Sequence, residues 1–318
     1  MFEKNVKSAF EKISKEDKIR KEFYILTHRK HRREIYFEKG NSDALRFIKI
    51  KFNSPIKKIF YFLLKTGLLN PFLKKISLPS EVGNLVFVGG QIKIFDLKKE
   101  LVFSFPMPHR PNEEFLKSKK TQKRLGQAGF APKVLEINTK KIFSVEEMAN
   151  PPSFVDPIRS FKRLLEYYGT VKKAKTSSHG YLSILRSDLK KKNIKDSFIW
   201  GVLNRLEGDD IDLYLIDSHG DFAPGQILYK NGSIVFTDWE LTKNLITEDI
   251  SNFFREETDL LSNKSILEIL KLYPSEVQKN APHYFVLCEL AHLAWKPFYL
   301  STAKEKIKNL LRFSRNQK

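Results

Sequence analysis

An α+β architecture is what this sequence predicts, with strands concentrated early and helices closing the chain. Three observations point there. Residues 82–105 hold three short runs rich in β-branched and aromatic side chains, punctuated at Gly89-Gly90 and Lys98-Lys99. Asp217–Glu240 reads as a folded-back ribbon around Asn231-Gly232, a strong two-residue hairpin signal. Beyond Asn150-Pro151-Pro152, apolar residues recur at helical spacing over much of the remaining chain. The 318 residues are 41% hydrophobic and include 26 phenylalanines, enough to build a sizeable core.

In order, Phe2–Lys21 predicts an amphipathic helix around Phe2, Val6, Phe10 and Ile13. Glu22–Glu38 carries two apolar runs on either side of the basic stretch His28–Arg33, read as a hairpin with a basic tip or as two strands of an added sheet. Residues 48–76 hold seven lysines, no acid, and the runs Ile59–Leu64, Leu68-Leu69 and Phe72-Leu73. Two readings share that segment: helices packed on the core with lysines outward, the simpler one, and an in-plane helix on an anionic membrane surface. Asn84–Val88, Gln91–Leu97 and Leu101–Phe105 are the three strands, followed by a helix over Asn112–Gly129 and strands over Ala131–Ile137 and Lys141–Met148. Helices are then expected over 158–168 and 181–206, and Ile211–Ile216 leads into the polar turn Asp217–Phe222. Ala223–Leu228 and Ser233–Thr237 form the ribbon. Thr247–Ile250 looks like a capping-box start, and 266–272, 284–293 and 303–313 are amphipathic helices.

Composition narrows the classes. Net charge is +20, and 20 Lys+Arg against 8 Asp+Glu up to Ser80 place +12 of it in the first quarter, which favours an anionic partner. The basic tip and residues 48–76 could attract nucleic acid non-specifically, but no base-reading motif is present and specific nucleic-acid binding is not expected. One cysteine, Cys288, excludes an intramolecular disulfide and a cysteine-built metal site. No apolar h-region follows the N-terminal basic residues and no segment is long enough to span a bilayer. The cytoplasm is the expected compartment, with peripheral contact at the inner face of the membrane through residues 48–76 as the second reading.

The ribbon carries the chemistry. Asp221 and Asp238 flank it, so folding it back brings two carboxylates to one mouth. One can orient and deprotonate an acceptor hydroxyl while the other holds the metal that neutralises phosphates. His219-Gly220-Asp221-Phe222-Ala223-Pro224-Gly225-Gln226-Ile227-Leu228, followed by Thr237-Asp238-Trp239-Glu240, resembles the catalytic and metal-binding segments of the aminoglycoside phosphotransferase and choline kinase family. The resemblance implies a protein-kinase-like, two-lobed fold: a basic extension over 1–80, a small antiparallel-sheet lobe over 81–150, and a mostly helical large lobe over 151–318. It implies ATP and Mg²⁺ as cofactors and a small hydroxyl-bearing substrate. Asp221 would be the catalytic base and Asp238 the main magnesium ligand. Gln226 stands where the family has a metal-binding asparagine. Gly89 and Gly90 would cover a phosphate, and Glu147 and Met148 would lie in the backbone hinge that holds adenine. The family's strand lysine is expected near position 104, where this chain has Ser104, with Lys93 and Arg110 as the nearby bases. Glu113 and Glu114 are the acids that could partner such a lysine, and Asp249 matches an aspartate that braces the catalytic loop.

The sequence therefore predicts a phosphotransferase acting on a small alcohol, with a sugar or glycan-related acceptor favoured because the C-terminal part is not noticeably acidic. The alternative is a pseudokinase that binds nucleotide or a partner without turnover, motivated by Ser104 and Gln226.

Overall fold

The computed structural model describes residues 2–14, 20–28, 33–49, 55–79, 82–209 and 211–316. The chain divides into two compact units: Met1–Ser153 with Leu228–Thr237, and Phe154–Ile227 with Asp238–Lys318.

The first unit runs α1 (Glu3–Ile13), β1 (Arg20–His28), β2 (Arg33–Glu38), α2 (Ser42–Ile48), α3 (Pro55–Lys65), β3 (Lys74–Pro79), β4 (Leu85–Val88), β5 (Gln91–Asp96), β6 (Leu101–Pro106), α4 (Asn112–Gln127), β7 (Val134–Asn138) and β8 (Phe143–Glu147). Its strands form one antiparallel sheet in the order β3-β1-β2-β4-β5-β6-β8-β7. Period-two alternation divides the side chains between two faces. Val86, Ile92, Ile94, Phe105 and Val145 pack with Val6 and Phe10 of α1. Leu85, Phe95, Val102 and Met148 pack with Ala44 and Ile48 of α2 and Leu64 of α3.

Two expectations change here, and one open alternative is decided. The first helix stops at Ile13, where Ser14 turns extended, and Arg20-Lys21 already belong to β1. β1 and β2 pair with each other, and β2 also pairs with β4, so they extend the main sheet. Of the basic tip, residues 29–32 lie outside the described residues. Lys74–Pro79 is a strand paired with β1 rather than the end of a helical segment.

The chain continues as α5 (Pro157–Thr170), β9 (Ala174–Ser177), α6 (Ser178–Lys191), α7 (Ser197–Leu206), β10 (Asp212–Ser218), β11 (Ile227–Lys230), β12 (Ser233–Phe236), β13 (Thr242–Leu245), α8 (Glu248–Phe253), α9 (Lys264–Leu270), α10 (Ser275–Lys279), α11 (Ala281–Trp295) and α12 (Leu300–Asn316). β11 and β12 pair through the Asn231-Gly232 turn, where φ is +50° and +77°. Positive φ at both central residues is the type I′ geometry that suits the twist of a hairpin. The ribbon is held in the first unit by Phe236 N–H to Phe130 O at 2.9 Å and by paired bonds between Asn150 and Tyr229.

The second unit is mainly helical. Asp156, Ser177 and Asp196 cap α5, α6 and α7 through their side chains. Thr247 does not cap α8; its hydroxyl lies 3.5 Å from the Cys288 sulfur. α11 is apolar all round and buried along most of its length, as a central core helix must be. A three-stranded sheet, β13-β10-β9, completes the unit. Among the described residues no helix is long and apolar enough to cross a membrane.

Candidate active site

The loop Asp217–Phe222 is placed by β10 and β13, which pair antiparallel to Ser218 opposite Thr242. One further bond carries the two segments forward together: Glu240 N–H donates to His219 O at 3.0 Å. Asp221 lies two residues beyond His219 and Asp238 two residues before Glu240, so the two carboxylates stand on facing segments next to the same bond. Gly220 makes this approach feasible. Its φ is +96°, and a Cβ there would fall 2.8 Å from Thr242 Oγ1 and 2.9 Å from Glu240 Cβ. Asp238 is also in the left-handed region, at φ +58°. Asp238 is exposed, and the Asp221 side chain is 41% exposed.

Beneath the loop, Asp249 acts as its brace. Its carboxylate accepts from His219 N–H at 2.9 Å and Gly220 N–H at 3.2 Å, and from the Tyr168 hydroxyl. Burial raises the Asp249 pKa, while His219 and these donors oppose that shift. The His219 ring is fully buried, with its centroid 4.6 Å from Trp239 and 5.2 Å from Phe222. One helical turn past Asp249, Asn252 donates to Gly220 O at 3.0 Å. Arg255 then reaches Asp221 at 3.1 Å and Asn252 at 2.8 Å, fixing the Asp221 side chain with a charge-assisted contact. Lys296 feels the same region: burial and Arg255 lower its pKa, whereas Asp221 and Glu240 pull it up.

Gln226 ends a short 3-10 turn, and its Oε1 accepts from Ala223 N–H at 2.7 Å. An amide oxygen has two lone pairs, of which this bond uses one. Oxygen donors such as Asp238 and Gln226 suit a hard divalent cation.

In the first unit, Gly89 and Gly90 form the β4–β5 turn. The Gly89 N–H is taken up by Gln91 O at 3.0 Å, and Arg110 lies 3.5 Å from where a Gly90 Cβ would be. Glu147 N–H donates to Lys133 O and Met148 N–H to Glu100 O, at 2.9 and 2.8 Å, while the Met148 side chain is buried. Ser104 is also fully buried. It pairs with Lys93 on β5 and with Ser144 on β8, so the three side chains form one row across a single face. The Ser104 hydroxyl has no hydrogen-bond partner. Two residues along the same face, Gln91 and Pro106 floor a cavity of about 60 Å³ walled by Arg110, Glu114, Phe115 and Ser118.

Beside that row lies an ion pair the sequence reading missed. Lys119 of α4 contacts Glu146 of β8 at 2.7 Å, joined by Gln122 and Ser144, both at 2.8 Å. Burial alone would push Glu146 up, but Lys119, then Lys93 and the hydrogen bonds, bring it down to about 2. The acids proposed for α4, Glu113 and Glu114, are exposed; the helix turns a lysine inward instead. The signal was present: Lys119 lies four residues after Phe115 and six before Leu125, on the helix's buried stripe.

No protein-family model matches the chain, and no curated protein matches it. Solved structures do. A choline/ethanolamine kinase family protein from Mesorhizobium loti is similar at 14% identity, covering 73% of this chain and 85% of the other, with a TM-score of 0.47. Choline kinase LicA from Streptococcus pneumoniae is similar at 15% identity, 72% and 88% coverage, and a TM-score of 0.44. An ethanolamine kinase from Plasmodium vivax is similar at 16% identity, 86% and 94% coverage, and a TM-score of 0.42.

Proposed function

We propose that this chain is a nucleotide-dependent phosphotransferase acting on a hydroxyl of a small molecule, with ATP as donor. The observation that carries the reading is the braced loop: Asp249 and Asn252 hold His219 and Gly220, and the Glu240–His219 bond aligns the Asp238 segment beside them. A general base must hold one geometry while its proton arrives, and this loop is tied down from below and from the side. Asp221 accepts the proton of the acceptor hydroxyl. Arg255 sets its rotamer. Asp238 and Gln226, at opposite ends of the β11–β12 ribbon, would hold Mg²⁺, which is commonly bound by one or two carboxylates plus substrate phosphates. Bound there, the ion supplies charge neutralisation to the phosphates of the nucleotide. Gly89 and Gly90 cover a phosphate, and Glu147–Met148 belong to the adenine-binding stretch. Lys93, opposite Ser104, supplies the ammonium that the neighbouring strand lacks, and the buried Lys119–Glu146 pair fixes α4 against the sheet.

A sugar or glycan-related acceptor fits better than a cationic amino alcohol. Arg255 contacts Asp221, and Lys296 lies in the field of the same carboxylate; both would repel a cation brought there. A second reading, nucleotide binding without turnover, is favoured by Ser104 in the lysine position and by the Gln226 oxygen already engaged at Ala223.

One experiment separates the two. The chain is incubated with labelled Mg-ATP and a pool of hydroxyl-bearing metabolites, beside Asp221→Ala and Lys93→Ala. The expected result is transfer by the wild type, a loss of about 10²- to 10⁴-fold in Asp221→Ala, and a loss of about 10- to 100-fold in Lys93→Ala, mainly in KM for ATP. Nucleotide binding with no transfer by the wild type would leave the second reading standing. No nucleotide binding at all would sink both.

A further inference from the structure

A sequence can place an apolar stripe on a helix for two reasons: to enter a core or to meet something else. α3 is the clearest case here. Ile56, Ile59, Phe60 and Leu63 follow the i, i+3, i+4, i+7 spacing of one helical face. In a core helix that face would be buried. Instead Ile56 is 81% exposed, Ile59 63% and Phe60 37%; Phe62, next to that face, is 61% exposed, and the single buried residue of the helix is Leu64. Just past the helix, Leu68 and Phe72 continue the apolar surface at 62% and 83% exposure. Contiguous exposed apolar surface of this kind marks an interaction site.

We propose that α3 and the turn after it, residues 55–73, dock on an anionic lipid bilayer. The choice among partners rests on charge. Over residues 48–76 the chain has seven lysines and no acid. Lys57, Lys58 and Lys65 of α3 are exposed beside the apolar face. Lys74, which follows, is in part committed to Glu3. A second copy of this chain is a poor partner, since a two-fold contact through this patch would set the same lysines against one another. A bilayer with acidic headgroups answers both halves of the surface. Isoleucine, leucine and phenylalanine enter the boundary between headgroups and acyl chains, while lysine stems run along them and leave their ammonium groups among the phosphates. The helix has 11 residues, too short to span and suited to lying in the plane. This proposal concerns a surface distant in sequence from the Asp221 loop, so it stands or falls independently of the phosphotransferase reading.

The test is co-sedimentation of the full chain with vesicles of phosphatidylcholine, with and without phosphatidylglycerol. The wild type is expected to pellet with the acidic vesicles, to bind neutral ones at least about tenfold more weakly, and to lose affinity as salt rises. Ile59→Glu combined with Phe62→Glu is expected to reduce binding to acidic vesicles by about tenfold or more. Both positions are solvent-exposed, and an unchanged Tm would show that the fold is retained. Lys57→Gln, Lys58→Gln and Lys65→Gln together are expected to remove the preference for acidic lipid. Wild-type binding by the Ile59/Phe62 variant would overturn the proposal. So would equal binding to neutral and acidic vesicles, or self-association of the wild type that the same variant abolishes with no vesicle bound.

Discussion

Glu146 in the first unit and Glu248 in the second are both shut away from water, at 5% and 8% exposure, yet their carboxyls are driven in opposite directions. Burial pushes each upward. At Glu146 the Lys119 ammonium at 2.7 Å, the field of Lys93 and the bonds from Gln122 and Ser144 overcome that push and leave it at about 2. At Glu248 burial dominates and Asp249 and Glu289 add to it, so the carboxyl rises to about 8 despite its bond with Cys288 and the distant pull of Arg255. His292 approaches at 3.9 Å, but burial and the cations Arg255, Lys296 and Lys306 drop the imidazole to about 3, so it brings no charge. The difference lies in whether a cation stands beside that acid. The first unit turns a lysine inward and locks α4 to the sheet. The second aims Arg255 at Asp221 and Asn252 and leaves the acid behind it neutral. One arrangement serves the frame, the other the loop.

Removing one half of the Lys119–Glu146 pair costs the most. Glu146→Ala leaves Lys119 buried without its carboxylate and is expected to destabilise the protein by about 3–5 kcal/mol in urea unfolding. Exchanging the pair for Lys119→Met with Glu146→Leu is expected to recover most of that, because no charge is left stranded. A loss below about 1 kcal/mol in the single variant would show that Lys119 finds water or another acid. The next largest effect falls on the loop. Asp249→Ala removes the acceptor for His219 N–H, Gly220 N–H and the Tyr168 hydroxyl. It is expected to lower stability by about 2–3 kcal/mol, and to lower kcat further under conditions where the variant stays folded. An unchanged kcat would mean that the loop holds its geometry without the brace.

Much of this was legible in the chain. Gly220, the Asn231-Gly232 turn and the β-branched run before Asp238 each fix a local geometry, and together they place the Asp221 and Asp238 segments side by side. The closing contact was less legible: it comes from β10 pairing with β13, and β13 (Thr-Lys-Asn-Leu) is four residues with no apolar alternation. β9 (Ala-Lys-Thr-Ser) hid for the same reason. β3 was absorbed into a helical reading because its lysines continue the run that starts at α3, and only pairing with β1 makes it a strand. The Lys119–Glu146 pair needed residues 27 apart to meet, which no local pattern announces. α3 shows the converse: its amphipathic pattern was plain, but periodicity cannot say whether the apolar face meets protein or something else.

The smallest expected effect isolates the sign of the second acid. Glu146, held near 2 when folded against 4.5 as its ordinary value, contributes stability that is present above pH 4.5 and is lost as pH falls toward 2. Glu248 does the reverse. Its folded pKa, about 8, lies above 4.5, so between those values the folded chain holds a proton that the unfolded chain has released. Its contribution therefore declines as pH rises through that window and levels off beyond it. His292 is lowered from 6.5 to about 3, which raises stability with pH up to about 6.5 and masks Glu248 in the lower part of the range. Between about pH 6.5 and pH 8 the Glu248 slope is clear of both effects. Glu248→Gln keeps the shape and removes the titration. It is expected to flatten the decline there and to be more stable than wild type at the upper end by about 1 kcal/mol or more. Parallel stability curves for the two proteins across that interval would mean that Glu248 is ionised in the fold, and that Arg255 is shared between the acid and the loop rather than committed to Asp221.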